Sequence, residues 1–211
     1  VSRPSLREAV AELQDRGLLA TRAGAGIYVA DVLGSAFSPA LIRLFAAHDE
    51  AVIDYIGFRR DLESIAAERA ALHGSDTDLK VIDTIYRKME AAHSKRNPAD
   101  EADLDAEFHL AIIEASHNVI LLHMMRSMFD LLREGVFFNR QLLFKQRSIR
   151  DLLLDHHKAI NAALQARDAD AARAAVVRHL DDVEIALEEL RRAERHEEIA
   201  QLRLTQEGAR P

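Results

Sequence analysis

Asp105 and His109 stand four residues apart in a stretch with helical periodicity, so both project from one helix face. That face also carries Ile112 and Ile113, which makes it the buried side. His157 falls on an apolar stripe with Leu153, Ile160 and Leu164, and His179 on another with Ala172, Val176, Val183 and Leu187. A carboxylate and imidazoles that face a core need partners, because an unpaired buried charge is costly. Asp105, His109, His157 and His179 can therefore converge on one divalent ion inside a helical bundle. Imidazole nitrogen and carboxylate oxygen suit zinc first, with nickel or manganese as alternatives, and an octahedral ion would keep open positions. A blander alternative stands beside this one. Each histidine could be a core residue hydrogen-bonded to a neighbour, and Asp-x-x-x-His arises by chance on many amphipathic helices. Periodicity also does not separate His157 from the adjacent His156.

The elements that must position these side chains are helices. Ser38 and Pro39 open a short one that runs to about residue 47, and a long one follows over about 50–73. Gly74-Ser75 breaks it, and Asp76 or Thr77 is expected to cap the next helix, with Leu79, Ile82, Ile85, Tyr86 and Met89 at helical spacing. Asn97-Pro98 stops that one. Further helices are expected over about 100–115, from Asn118 to about Phe144, over about 147–166, and from the Asp168-Ala169-Asp170 cap onward. The charge-dense segment 194–211 should fray or lie on the surface.

Composition agrees with a helical body. The 211 residues include only four prolines and eight glycines, and 48% are hydrophobic, which suffices for a core. No cysteine is present, so disulfides and thiolate chemistry are excluded. No apolar run approaches a membrane span and no signal-like segment opens the sequence; the expected location is the cytoplasm, with no membrane partner. The net charge of −7 argues against a protein that coats nucleic acid generally. Residues 1–30 differ from the rest, with Arg3, Arg7, Arg16 and Arg22 against Glu8, Glu12 and Asp15.

That basic segment reads as the recognition helix and wing of a winged helix-turn-helix. Ser2 can cap a helix with Pro4 in its first turn, so Ser2, Arg3, Ser5 and Arg7 project at an N-terminal end. In helix-turn-helix proteins this end faces base edges in the major groove, where arginine donates two parallel bonds to guanine. Gly17 stops the helix, and Arg22, Gly24 and Gly26 mark the turn of a short ribbon that could approach phosphate. A surface helix followed by an ordinary hairpin is the alternative.

The segment resembles the GntR superfamily of bacterial transcription factors, whose heads end in S-R-x-x-[LV]-R-E-A, G-L-[LV] and R-x-G-x-G-x-[FY]-V. Ser2-Arg3, Leu6-Arg7-Glu8-Ala9, Gly17-Leu18-Leu19, Arg22, Gly24, Gly26, Tyr28 and Val29 all match. The two helices that precede Ser2 in such a head lie outside the sequence, so these residues alone are not expected to bind operator DNA properly. The helical body is similar to the FCD effector domain of the FadR subfamily. The resemblance rests on Asp105-Ala106-Glu107-Phe108-His109, Ala115-Ser116-His117-Asn118, His157-Lys158-Ala159-Ile160 and His179-Leu180. It implies that Asp105, His109, His157 and His179 are metal ligands and that His156 is not. It further includes Arg59-Arg60-Asp61-Leu62-Glu63, which implies Arg59 as the anchor for an organic-acid carboxylate. Pairing of Arg59 with Glu63 is the alternative. Arg133, Asn139 and Arg140 are further candidates for the pocket wall. The stretch from Ala115 to Phe144 is similar to regulators of pyruvate, lactate and glycolate metabolism. The pyruvate-responsive ones do not keep all the metal ligands, whereas this sequence does.

These readings give an all-α bundle of about seven helices behind a truncated winged helix-turn-helix. The expected divisions are the head at 1–30, a linker at 31–37, the effector domain at 38–193 and a charged tail at 194–211. The expected function is a homodimeric, ligand-responsive regulator, acting as a repressor, with operator DNA and a small hydroxy or keto acid as partners. Two other functions compete. The same quartet could activate water in a metal-dependent hydrolase, although no further acid, base or nucleophile stands at a readable spacing. Alternatively, the bundle could be a structural dimerisation module.

Overall fold

The computed structural model describes residues 2–22, 24, 26–30, 39–46, 48, 50–95, 97–133, 143 and 147–208. The chain divides into two compact units, Val1–Ser38 and Pro39–Pro211. The expected linker at 31–37 and the Ser38 cap lie outside the described residues.

The first unit holds α1 (Arg3–Asp15) and a two-stranded antiparallel ribbon, β1 (Leu19–Arg22) with β2 (Gly26–Val29), paired from Leu19 opposite Val29 to Arg22 opposite Gly26. Ser2 caps α1, its hydroxyl accepting from the Ser5 amide at 3.3 Å, and Pro4 sits in the first turn. Gly17 ends the helix in the left-handed region, φ +69°. The Gly17 amide donates to Gln14 and the Leu18 amide to Leu13, so two otherwise orphaned carbonyls are satisfied. Gly24 and Gly26 take φ of +74° and +100°, conformations that a side chain would strain.

The second unit contains seven helices among the described residues. They are α2 (Pro39–Ala46), α3 (Glu50–His73), α4 (Asp76–Lys95), α5 (Pro98–Ala115), α6 (Val119–Arg133), α7 (Arg147–Gln165) and α8 (Ala169–Gly208). Helix α3 packs along α8 and also meets α5 and α7; α4 lies against α5 and α7, and α7 against α8. Its buried stripe runs Val52, Ile56, Arg59, Glu63, Ala66, Ala70, at alternating spacings of three and four. Alanines at 66, 67, 70 and 71 bring the helix axes close, while the larger Ile65 stays 40% exposed. Arg59 and Glu63 therefore occupy positions that the pattern reserves for apolar residues. None of the described helices is long and apolar enough to cross a membrane.

One connection departs from the sequence expectation. The α4 cap is Ser75 rather than Asp76 or Thr77. The Ser75 amide donates to Asp78 and the Asp78 amide donates back to the Ser75 hydroxyl, a reciprocal box that places Asp76 and Thr77 already inside the helix. Gly74 is required just before it, because a Cβ there would meet the Ala70 carbonyl oxygen at 2.5 Å. Helix α8 continues through the charged segment to Gly208, and its last turns are exposed on the surface. The α7–α8 joint closes as expected on Asp168, which accepts from the Ala171 amide at 2.9 Å. Arg167 precedes it with φ +54°, and its guanidinium reaches the Gly74 carbonyl at 2.9 Å, capping the C-terminal end of α3.

Candidate metal centre

Helix α5 supplies Asp105 and His109, α7 supplies His157 and α8 supplies His179, all four between 1% and 3% exposed. One donor atom from each lies within 4.8 Å of every other. His157 Nε2 is 3.1 Å from Asp105 Oδ1 and 3.3 Å from His109 Nε2, and His109 Nε2 is 3.8 Å from Asp105 Oδ1. An ion with bonds of about 2.0–2.2 Å sets neighbouring donors about 3 Å apart and opposite ones about 4 Å apart. The separations among the Asp105, His109 and His157 donors, 3.1 to 3.8 Å, fall in that range, and the full four-donor spread of 4.8 Å is slightly wider. The sequence quartet is thus one cluster in space, drawn from three helices, and its donor set fits a divalent ion.

The electrostatics agree with ion binding. His179 is held well below the ordinary imidazole range, first by burial and then by the neighbouring His157 and His109 rings. Its ring is therefore neutral near pH 7, with a lone pair that no proton contests. Nδ1 of His179 is buried without a hydrogen-bond partner among the described residues. Phe108, fully buried, sets its ring edge-on to His109 and His157 at 6.0 and 5.2 Å between centroids, and so fixes both imidazole planes.

The structure forms the alternative pair, Arg59 with Glu63, and adds a contact that sequence reasoning missed, from Glu63 to His109. Glu63 Oε2 accepts from His109 Nδ1 at 2.6 Å, which fixes the tautomer and leaves His109 Nε2 turned to the cluster as a lone-pair donor. Glu63 in turn accepts from Arg59, Nε to Oε1 at 2.6 Å and Nη2 to Oε2 at 3.4 Å. Both residues are 2% exposed. Burial alone would raise the Glu63 carboxyl, but Arg59 and then His109 outweigh it and hold it at about 2. Burial would likewise lower Arg59, yet the Glu63 carboxylate carries the net shift upward. The Arg59 guanidinium also lies over the Phe129 and Tyr55 rings, at 5.2 and 5.9 Å from their centroids. The signal for Glu63 was present in the sequence, as an acid four residues from Arg59 on the buried stripe of α3.

The other sequence candidates divide. His156 points elsewhere, with Nε2 3.2 Å from Asp182 Oδ2. We expect His156→Ala to keep its full metal content by elemental analysis; a loss as deep as that of His157→Ala would move the site by one position on α7. Arg133 ends α6, but its side chain lies outside the described residues, as do Asn139 and Arg140 altogether. Arg3, Ser5 and Arg7 are exposed on α1, Ser5 sharing a 2.8 Å hydroxyl contact with Ser2, and Arg22 stacks on Tyr28 at 5.0 Å. His93 bridges Glu101 and Asp151 at 3.3 and 3.0 Å, beside the buried Arg150–Glu101 ion pair. A cavity of about 10 Å³ lies between this group and His157, room for about one water molecule.

Comparison with known proteins places this geometry in a class. Residues 54–182 match the FCD domain family. The chain belongs to the GntR family of transcriptional regulators with an FCD domain, and it is a regulator rather than an enzyme. It is 35% identical over 187 residues to the putative L-lactate dehydrogenase operon regulatory protein of Escherichia coli, covering 87% of this chain and 71% of that one. The Glc operon transcriptional activator of the same organism is 33% identical, over 87% of this chain and 76% of the relative. LutR of Bacillus subtilis, an HTH-type transcriptional regulator, is 30% identical over 89% and 85%. A solved GntR structure from Streptococcus agalactiae shares the fold, with a TM-score of 0.60 at 24% identity over 87% of this chain and 82% of that one.

Proposed function

We propose that this chain is a homodimeric repressor that senses a small hydroxy or keto acid at a divalent metal, zinc before nickel or manganese. The observation that carries this reading is the convergence of four buried donors on one point, with a carboxylate behind His109 that aims its ring. Asp105, His109, His157 and His179 hold the ion, and an acid oxygen completes its shell. The relatives named for an L-lactate dehydrogenase operon and a Glc operon support a small organic acid as the signal. Arg59 supplies the second anchor. It has five N–H donors and serves both Glu63 and the incoming carboxylate. Ligation ties α5, α7 and α8 together and biases the arrangement of the DNA-binding heads, to the extent that the acid prefers one arrangement over the other. Calorimetry on metal-loaded protein with lactate, glycolate and pyruvate tests the reading. Binding in the micromolar to low millimolar range is expected; no binding by any of them turns the search to larger sugar acids or lipids.

The DNA side carries its own prediction. A two-fold dimer with complete heads presents two recognition helices, so the operator has two pseudo-palindromic half-sites. Arg3→Ala and Arg7→Ala should each cost about 1–3 kcal/mol of operator affinity. Unchanged affinity and unchanged salt dependence in the double mutant would remove both residues from the interface. Release of the operator on adding the acid is the expected sign of regulation, and unchanged operator affinity would remove the acid as the signal.

A further inference from the structure

Arg59, Glu63 and His109 form an unbroken buried chain that ends in the metal cluster, and its charges can be counted. Glu63 lies between two N–H donors, Arg59 Nε at 2.6 Å and His109 Nδ1 at 2.6 Å. A divalent ion and the Arg59 guanidinium together carry three positive charges, and the Asp105 and Glu63 carboxylates carry two negative ones. With neutral imidazoles the buried centre keeps a single surplus positive charge. The neighbouring Arg150–Glu101 pair, 8% and 4% exposed, compensates itself and does not alter that surplus. An unpaired charge inside a protein is costly until a counter-charge meets it, and a dianion would leave this centre with an unpaired negative charge instead.

We propose that Glu63 is the specificity-determining residue for effector charge: by cancelling one of the three positive charges, it makes the centre selective for monocarboxylates over dicarboxylates. This rests on the acid-sensing reading above. Glu63 touches no effector atom; it acts through the charge it places beside Arg59 and through the ring it orients. Removing that charge leaves a surplus of two, which a dianion meets and a monoanion does not.

Lactate and tartronate are the probes, because tartronate keeps the three-carbon 2-hydroxy acid skeleton and carries a second carboxylate where lactate has its methyl group; the change of ratio between wild type and Glu63→Gln separates the added charge from the added bulk. Calorimetry on the zinc-loaded full chain should show lactate binding at least about tenfold tighter than tartronate. In Glu63→Gln, which removes the charge and keeps one acceptor oxygen for either His109 or Arg59 while turning an amide NH2 to the other, that ratio should fall by at least about tenfold or invert, read only at metal content equal to wild type. Glu63→Asp, which keeps the charge, should hold the wild-type preference. Wild-type protein that takes tartronate as tightly as lactate overturns the proposal, whether or not the variants fold. So does an unchanged ratio in Glu63→Gln at full metal occupancy. If wild-type protein binds neither probe, nor glycolate nor pyruvate, the sensing reading falls and takes this proposal with it; an unchanged ratio in Glu63→Gln overturns this proposal alone and leaves that reading standing.

Discussion

His157→Ala and His179→Ala should each leave a helical protein that no longer retains a stoichiometric metal ion. Both rings are buried, on different helices, and each supplies a donor that no described neighbour can replace; His156 is turned to Asp182. Loss of one imidazole leaves too few protein donors for a tight site. The folded state should survive, because without the ion three imidazoles and a carboxylate crowd one point and that crowding is relieved by the truncation. A binding equilibrium adds to stability by mass action, about 2.7 kcal/mol when free metal exceeds the dissociation constant a hundredfold. A chelator should therefore lower the melting temperature of wild-type protein and leave both variants unmoved. Full metal occupancy in the variants by elemental analysis, or an equal response to chelator, would remove His157 and His179 from the ligand set.

The four donors were legible from the sequence because each sits on a helix whose apolar repeat is strong. Leu153, Ile160 and Leu164 fix the inward face of α7 around His157, and Val176, Val183 and Leu187 do the same on α8 for His179. Periodicity places a residue on a face to within one position, which is why it left His156 and His157 unresolved. What it does not carry is the partner of each inward polar group. Glu63 sits on α3 and His109 on α5, so their 2.6 Å contact depends on how two helices cross, a matter of packing rather than of local pattern. The Ser75 cap was missed for a different reason. Ser75, Asp76 and Thr77 all have side chains able to cap, and the choice falls to the one whose reciprocal acid stands three residues on, Asp78. The run of alanines on α3 is similar: small residues carry a weak hydrophobic signal, yet they form the surface that meets α8.

Arg59→Ala should be the most destabilising single change in the effector domain, at about 3–5 kcal/mol, because it strands a carboxylate in the core. Glu63 would keep only His109 as a donor, while its own burial remains. The guanidinium's contacts with Phe129 and Tyr55 are lost as well. The origin of the cost can be separated by a cycle. If the stranded charge dominates, Glu63→Gln in the Arg59→Ala background should recover a substantial part of the loss, although Glu63→Gln alone is destabilising. Urea unfolding of the four proteins, each metal-free, measures this directly. An Arg59→Ala cost below about 1 kcal/mol, or a double mutant weaker than either single one, would show that the pair does not hold the core together. The same substitution also reports on sensing. Metal-loaded Arg59→Ala, studied below its lowered melting point, should bind lactate or glycolate at least about tenfold more weakly than wild type, since one charge-assisted anchor is gone. Equal binding would mean that Arg59 serves Glu63 alone, and that the acid is held by the metal without it.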